Sequence, residues 1–333
     1  MSNKPPVVDH DRPDAVPLDD VTLDDVTLDD VTLENEFALL ADAATDAGLD
    51  RHALPPVGRR WVNPTVGGHL SAVVWGQGSP EVVFLHDAGR GARQWDAAII
   101  ALGRSAAALD LPGHGRSNWR RDGRYEPARL APAVAEAIAS FAPRARLVVG
   151  SGLGALTALA VAARRPDLAG QLVLLDTLPG AGRAGRPVVG GVPASRADAV
   201  RLLAGTLPPA GLPRGALLRE VLYGTAREPD GSWAWRHDPA LCAASAGPAP
   251  ALAADQAPLW DQLAAVPAAV SVVHGGRSLS ADDLGLLARR APGVRVVATD
   301  GTDSDVETAR PMALARILDH VLDAARARRG DEH

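Results

Sequence analysis

Short apolar runs that alternate with helical segments constrain this chain most strongly. The apolar runs that predict buried strands are EVVFLH (81–86), SAAALDL (105–111), RLVVG (146–150), QLVLLD (171–176), AAVSVVHGG (268–276) and VRVVAT (294–299). Helical sequences such as PARLAPAVAEAIASF and GALTALAVAARR separate them. Buried strands that alternate with helices predict an α/β fold, in which a mostly parallel, doubly wound sheet has helices on both faces. RRWVNPT and HLSAVVWG come before this region and predict an antiparallel pair of strands.

One long segment interrupts the alternation. Residues 181–262 are rich in proline and glycine and contain only short helical stretches. We therefore predict a helical cap inserted into an α/β core made of residues 51–180 and 263–333. Ligands of open α/β sheets bind beyond the carboxyl ends of the strands, so this cap would cover the binding site.

Charge is distributed unevenly between the first 50 residues and the rest of the chain. Residues 1–50 contain 14 acidic side chains against Lys4 and Arg12, a net charge of −12, so the remainder carries +6 of the total of −6. LDDVT occurs three times in succession over residues 18–32. We predict a largely disordered acidic tail that is either a solvated repeat expansion or a contact for a protein partner. Residues 34–49 also fit one amphipathic helix that packs on the body.

Composition argues against several other classes of protein. The positive excess of the main body is small and lacks the basic-aromatic clusters of nucleic-acid-binding proteins. Cys242 is the single cysteine, so no intrachain disulfide can form. No segment approaches the about 18 apolar residues that a membrane-spanning helix requires, and the N-terminus lacks the apolar core of a secretory signal. We expect a soluble cytoplasmic protein with no metal site and no cofactor.

Five motifs, in one order, resemble those of the α/β-hydrolase family. They are FLHDAGRGARQWD (84–96), LDLPGHGRSNW (109–119), VVGSGLGAL (148–156), DGSWAWRHDP (230–239) and PLWDQLAAV (258–266). The resemblance covers about residues 59–327. It implies the fold of that family, an oxyanion loop at the first motif, and a turn at the third motif that presents a catalytic serine. It also implies chemistry by a serine, an acid and a histidine.

The serine position of the family matches Gly152. The sharp turn needs small residues two positions before and two positions after the nucleophile. Gly150 and Gly154 meet this requirement when position 152 is the centre of the turn. A shift of the centre to Ser151 would place a valine and a leucine at the crowded positions. The spacing therefore favours Gly152 as the centre, with Ser151 as the residue that precedes the nucleophile position.

The acid and histidine positions are also unmatched. GGRSLSADD (275–283) places Leu279 where the family often has aspartate, and Ser304 falls at the histidine position. No histidine lies between His274 and His320. The resemblance therefore predicts a degenerate catalytic triad.

Other polar groups near the predicted site leave alternative chemistry open. The candidates are Ser151, Ser304, His86, Asp87, Asp176, His274 and Asp303. The resemblance implies an oxyanion hole made by backbone N–H groups of Leu153 and of the loop after His86. Asp87, in that loop, would bring a negative charge close to the hole.

Three hypotheses about function follow. The first is a protein of the α/β-hydrolase fold that has lost hydrolysis and binds a small acyl or carbonyl ligand in a capped pocket. Such a protein would be a pseudoenzyme or a non-hydrolytic enzyme of small-molecule metabolism. The second is an active ester or lactone hydrolase whose nucleophile is Ser151 or Ser304, with His86 or His274 as base. The third is an interaction module that works through its acidic tail.

Overall fold

The central sheet follows the strands predicted from the apolar runs. The computed structural model describes residues 36–52, 54–182, 187–207, 212–245, 249–275, 279–299 and 306–330. Its strands are β1 Val57–Val62, β2 Leu70–Trp75, β3 Val82–Leu85, β4 Ala106–Asp110, β5 Leu147–Ser151, β6 Gln171–Leu175, β7 Thr177–Leu178, β8 Ala181–Gly182, β9 Thr225–Arg227, β10 Trp233–Trp235, β11 Ala269–Gly275 and β12 Arg295–Thr299.

Eight of these strands form one sheet in the order β1-β2-β4-β3-β5-β6-β11-β12. β1 and β2 pair antiparallel, as do β2 and β4. All pairs from β4 to β12 are parallel. The predicted antiparallel pair and the predicted mostly parallel sheet are both confirmed. Because the parallel strands run the same way, their carboxyl ends and the loops that follow them lie at one edge of the sheet.

Helices cover both faces of the sheet. They are α1 Leu40–Asp46, α2 Asp96–Leu102, α3 Pro127–Phe141, α4 Leu153–Arg164, α5 Arg196–Ala204, α6 Arg214–Gly224, α7 Ala240–Ser245, α8 Ala249–Ala265, α9 Ala281–Arg290, α10 Val306–Ala309 and α11 Pro311–Gly330, with 3-10 turns at Ala92–Trp95 and Pro166–Leu168. No helix in the described ranges is long and apolar enough to cross a membrane.

Alternation along each strand divides the core between the two faces. In β3, Val83 and Leu85 join the cluster that packs against α3 and α4. Val82 and Phe84 join the opposite cluster, which includes side chains of α1, α2 and α11. Successive side chains of a strand point to opposite faces, so a strand buried on both faces must be apolar throughout. This requirement explains why β3 reads as an unbroken apolar run.

The segment predicted to form a cap contains β8, the β9–β10 ribbon and the helices α5 to α8 in its described parts. Val200, Leu203, Leu217 and Val221 belong to a small apolar cluster of its own. The helices α5 and α6 of this segment therefore share a small hydrophobic core, whereas Leu241, Leu259 and Trp260 of the same segment join the core on one face of the sheet.

The end of the acidic region packs on the body of the protein. Leu40, Ala43 and Ala44 of α1 are buried, and α1 contacts both α2 and α6. The amphipathic helix suggested for residues 34–49 is therefore present over a shorter span. The LDDVT repeats lie outside the described residues.

Candidate active site

A sharp turn joins β5 to α4 at the edge of the sheet where the strands end. Gly152 at its centre has φ 49° and ψ −119°, a conformation that side-chain-bearing residues rarely adopt. A Cβ atom at Gly154 would overlap the carbonyl group of Leu85, and one at Gly150 would crowd the backbone of Ala155. Gly150 and Gly154 thus occupy positions at which the backbone leaves no room for a side chain, and Gly152 has a backbone conformation that favours glycine.

The carboxylate of Asp87 lies against this turn. Its Oδ1 accepts hydrogen bonds from the backbone N–H groups of Ala88 (2.7 Å) and Leu153 (2.9 Å). A Cβ atom at position 152 would overlap the same carboxylate. Asp87 therefore fills the space into which a side chain at the centre of the turn would project. Its carboxylate also sits on the two N–H groups that the family resemblance assigns to the oxyanion hole.

The local electrostatics suit a carboxylate at this place. Leu153 is the first residue of α4, and the amino end of a helix carries a partial positive charge that stabilises anions. Asp87 is half-buried. Among the described residues, no group donates a hydrogen bond to its Oδ2. Backbone hydrogen bonds thus fix one carboxylate oxygen of Asp87 and leave the other without a donor from the described part of the chain.

His86 does not have a ring nitrogen available for catalysis. Its Nε2 accepts from the N–H of Leu111 (2.9 Å), so the proton is on Nδ1, which donates to the carbonyl of Asp87 (2.7 Å). Complete burial lowers the pKa of His86 and keeps the ring neutral, although Asp110 opposes this shift. His86 therefore holds two loops together, and the hypothesis that it serves as a base gains no support from these contacts.

Asp110 is a buried organising residue that the sequence did not single out. Its carboxylate accepts from the N–H groups of Ala92 (2.7 Å) and Arg116 (3.1 Å) and pairs with Arg59 (2.6 Å). Burial alone would raise the pKa of Asp110, but Arg59 and these N–H groups hold it below its ordinary value. The aspartate that opens the LDLPGHGRS motif thus ties the loop after β3 to the loop after β4.

The remaining candidates lie on the other side of β5. Asp176 has φ 48° and accepts from the N–H of Gly275 (2.8 Å), which links the ends of β6 and β11. His274 is buried and its Nδ1 contacts the carbonyl of Gly275 (3.2 Å). Within the described ranges, no hydrogen bond joins Ser151 to either His86 or His274. The expected serine–histidine pair is therefore not formed there.

The predicted acid position is part of the core. Leu279 is only 4% exposed and belongs to the cluster that packs against α3 and α4. A side chain in this cluster has no role in acid–base chemistry. Asp303 and Ser304 lie outside the described residues. No group of three or more histidine, cysteine or acidic side chains in the described part of the chain is arranged to hold a metal ion.

A cavity of about 430 Å³ lies between the core and the cap. Ala88 and Gly89, which directly follow Asp87, form part of its wall, and cap residues Val188, Val189 and Trp235 face them. Gly152 and Asp87 are not themselves among the lining residues. The cavity is thus next to the loop after β3 that carries Asp87.

Comparison with known proteins gives a consistent result. The model of the alpha/beta hydrolase family matches residues 82–327. Esterase Rv0045c of Mycobacterium tuberculosis is 37% identical over 308 residues, which span 87% of this chain and 96% of that protein. A crystal structure of that esterase has a TM-score of 0.74 and 35% identity, covering 88% of this chain and 99% of that one. E-2-(acetamidomethylene)succinate hydrolase, 24% identical with a TM-score of 0.68, covers 80% of this chain and 100% of its own, and shares the fold.

This similarity contradicts the hypothesis that the chain has lost hydrolysis. A relative that is similar over nearly the full length of both chains is an esterase, so the pseudoenzyme hypothesis is wrong. The hypothesis rested on the three unmatched triad positions. The sequence also predicts that Asp87 brings a negative charge close to the oxyanion hole, and its carboxylate lies in the space above Gly152.

Proposed function

The chain belongs to the alpha/beta hydrolase family, and from that premise we propose that it hydrolyses carboxylic esters of small molecules. The similarity to Esterase Rv0045c over most of both chains supports this class of reaction. One observation carries the chemistry, namely the carboxylate of Asp87 bound to the N–H groups of Ala88 and Leu153 at the turn. It supplies a reactive group where position 152 has none.

In the proposed mechanism Asp87 acts as a general base. Its Oδ2 accepts a proton from a water molecule whose oxygen attacks the ester carbonyl carbon. The tetrahedral intermediate collapses, the C–O bond to the alcohol breaks, and Oδ2 returns the proton to the departing alkoxide. The backbone N–H groups of Ala88 and Leu153 keep Oδ1 in place, so Asp87 does not have to reorganise during the reaction.

Hydrolysis of para-nitrophenyl esters with acyl chains from acetyl to dodecanoyl tests this proposal. Asp87→Asn keeps the size of the side chain and removes its basicity, so we expect kcat to fall by about 100-fold or more. Asp167→Asn is the matched control, because Asp167 is exposed and pairs with Arg165 on the surface. The control variant should hydrolyse the esters at the rate of the wild type. Circular dichroism melting checks that both variants fold.

Two other results would overturn parts of the proposal. Absence of turnover by the wild type across the panel would exclude ester hydrolysis of these substrates. Turnover that vanishes in Ser151→Ala and survives in Asp87→Asn would identify Ser151 as the nucleophile. That result would support ester hydrolysis as the function and contradict the proposed role of Asp87 as general base.

A further inference from the structure

The cavity between core and cap has an unusual concentration of arginine side chains. Its wall contains eight arginines and four acidic residues: Arg59, Arg90, Arg93, Arg116, Arg196, Arg219, Arg227 and Arg236, with Glu36, Asp96, Asp110 and Glu220. These charged residues come from the core, from the residues just before α1, and from α5, α6, β9 and the segment after β10. We refer to this cavity as the arginine pocket.

Five of these arginines form ion pairs among the described residues. Arg59 pairs with Glu36 and Asp110, Arg90 with Glu220 and Glu307, Arg93 with Asp96, Arg116 with Glu36, and Arg219 with Asp46. Asp46 and Glu307 come from outside the wall. The wall itself holds eight arginines against four acidic residues, so arginine is the predominant charged side chain that a ligand there would meet.

Arg236 belongs to this excess of arginines over acidic residues in the wall. It is half-buried, and its Nε donates to the carbonyl of Thr225 (3.1 Å). No carboxylate among the described residues forms an ion pair with it. Burial and the nearby guanidinium of Arg116 lower the pKa of Arg236. A partly buried cation near other cations is costly unless an anion joins it.

The rest of the wall suits the organic part of a ligand. Val188, Val189, Leu222 and Trp235 give the pocket an apolar side. The guanidinium of Arg196 lies over the ring of Trp233 with 4.4 Å between the guanidinium carbon and the ring centroid. A small molecule with one anionic end and one apolar or ester end would match both surfaces. Planar guanidinium groups bind carboxylates and phosphates through paired hydrogen bonds.

We propose that the arginine pocket binds the anionic group of the substrate, a carboxylate or a phosphate, through Arg236 and Arg116. This inference rests on the proposed function and narrows its substrates to esters that carry a negative charge. Ala88 and Gly89 line the pocket and directly follow Asp87. An anionic group held at the arginines would leave the ester end free to extend along this loop toward the carboxylate of Asp87.

Calorimetric titration tests binding independently of catalysis. Succinate and inorganic phosphate serve as separate probes, and the one that binds identifies the kind of anion. Loss of one charge-assisted contact in Arg236→Gln should weaken binding by about tenfold or more. Arg165→Gln is the matched control, since it removes the same charge from an exposed site where Arg165 pairs with Asp167. The control should bind the probe as the wild type does.

A pair of esters with equal acyl length adds a catalytic readout. The ratio of kcat/KM for para-nitrophenyl hydrogen succinate to that for para-nitrophenyl butyrate should fall by about tenfold in Arg236→Gln. The same ratio should stay unchanged in Arg165→Gln. If the wild type hydrolyses neither ester, the proposed function fails, and the titrations still decide whether the pocket binds anions.

Two results would overturn the assignment of the pocket. One is a wild type that binds neither probe. The other is equal binding by Arg236→Gln and Arg165→Gln with unchanged melting temperatures. If Arg236→Gln does not fold, Arg116→Gln decides between the outcomes, because the Arg116 side chain is 45% exposed and forms, among the described residues, only a long ion pair of 3.5 Å with Glu36. Unaltered binding in that variant would contradict the proposal.

Discussion

The turn at Gly152 and the arginine pocket differ in the partners of their charged and polar side chains. Around the turn, Asp87, Asp110 and His86 are held mainly by backbone N–H and carbonyl groups. In the pocket, charged side chains pair chiefly with one another, and the wall contains more arginines than acidic residues. Backbone donors stay in place when a side chain changes, so the geometry of the first region does not depend on which side chain occupies position 152. In our proposal, the second region is completed by the anionic group of the substrate.

The largest expected effect belongs to the backbone-held region. Asp110→Ala leaves Arg59 buried with Glu36 alone and removes the acceptor for two backbone N–H groups. We expect the free energy of unfolding in urea to fall by about 3–5 kcal/mol. Asp122→Ala is the control, because Asp122 pairs with Arg120 at the surface, where ion pairs contribute little. Equal losses of stability in Asp110→Ala and Asp122→Ala would contradict the prediction that the buried pair contributes more than the surface pair.

Asp96, in the wall of the pocket, should have a smaller effect on the free energy of unfolding, and this effect should depend on pH. Burial raises the pKa of Asp96 to about 6 from 3.8, against the opposing effect of Arg93. The folded protein therefore binds more protons than the unfolded chain between those values, and its stability falls as pH rises through this window. The contribution of Asp96 to the unfolding free energy should decrease by about 2–3 kcal/mol.

Unfolding of wild type and Asp96→Asn at several pH values between 4 and 6 measures this contribution. Asp110 acts in the opposite direction because its pKa is lowered, so the difference between the two proteins is the informative quantity. It should change steadily across the window, whereas the difference between wild type and Asp122→Asn should not. If the difference in unfolding free energy between wild type and Asp96→Asn is as constant as that for Asp122→Asn, Asp96 is charged over the whole pH range, as a surface carboxylate is.

The sequence predicts these two regions to very different degrees. Strand alternation predicts the sheet, and the spacing of Gly150, Gly152 and Gly154 predicts where the sharp turn lies. The sequence also predicts that Asp87 lies close to the oxyanion hole, but the hydrogen bonds of its carboxylate depend on a rotamer that the sequence does not show. The residues of the arginine pocket lie far apart along the chain and come from several elements of the core and the cap. Their convergence follows from tertiary structure alone.

Leu279 illustrates a different failure of prediction. Counting along the motif places it at the acid position, yet the side chain is packed in the core. A deletion in a loop can move a residue from one layer to another without disturbing the strands around it. Motif counting is therefore dependable within the tightly hydrogen-bonded loops after β3, β4 and β5 and weaker beyond β11.

The smallest expected change in stability comes from restoring a serine to the turn. Gly152→Ser introduces a side chain at φ 49°, which should cost about 1–3 kcal/mol. Its Cβ would overlap the carboxylate of Asp87 and displace it from the N–H groups of Ala88 and Leu153. We therefore expect ester turnover to fall as it does in Asp87→Asn.

The new serine should also stay unreactive, because His86 uses both ring nitrogens for backbone contacts and no hydrogen bond in the described part of the chain directs His274 to the turn. Mass spectrometry after treatment with a fluorophosphonate measures this directly, and no label is expected at position 152. A labelled serine with increased turnover would mean that a base reaches the turn from residues beyond the described ranges. The site around Gly152 would then be a serine-hydrolase site that lacks only the serine hydroxyl group. The carboxylate of Asp87 would fill the space of that serine without taking over its catalytic role.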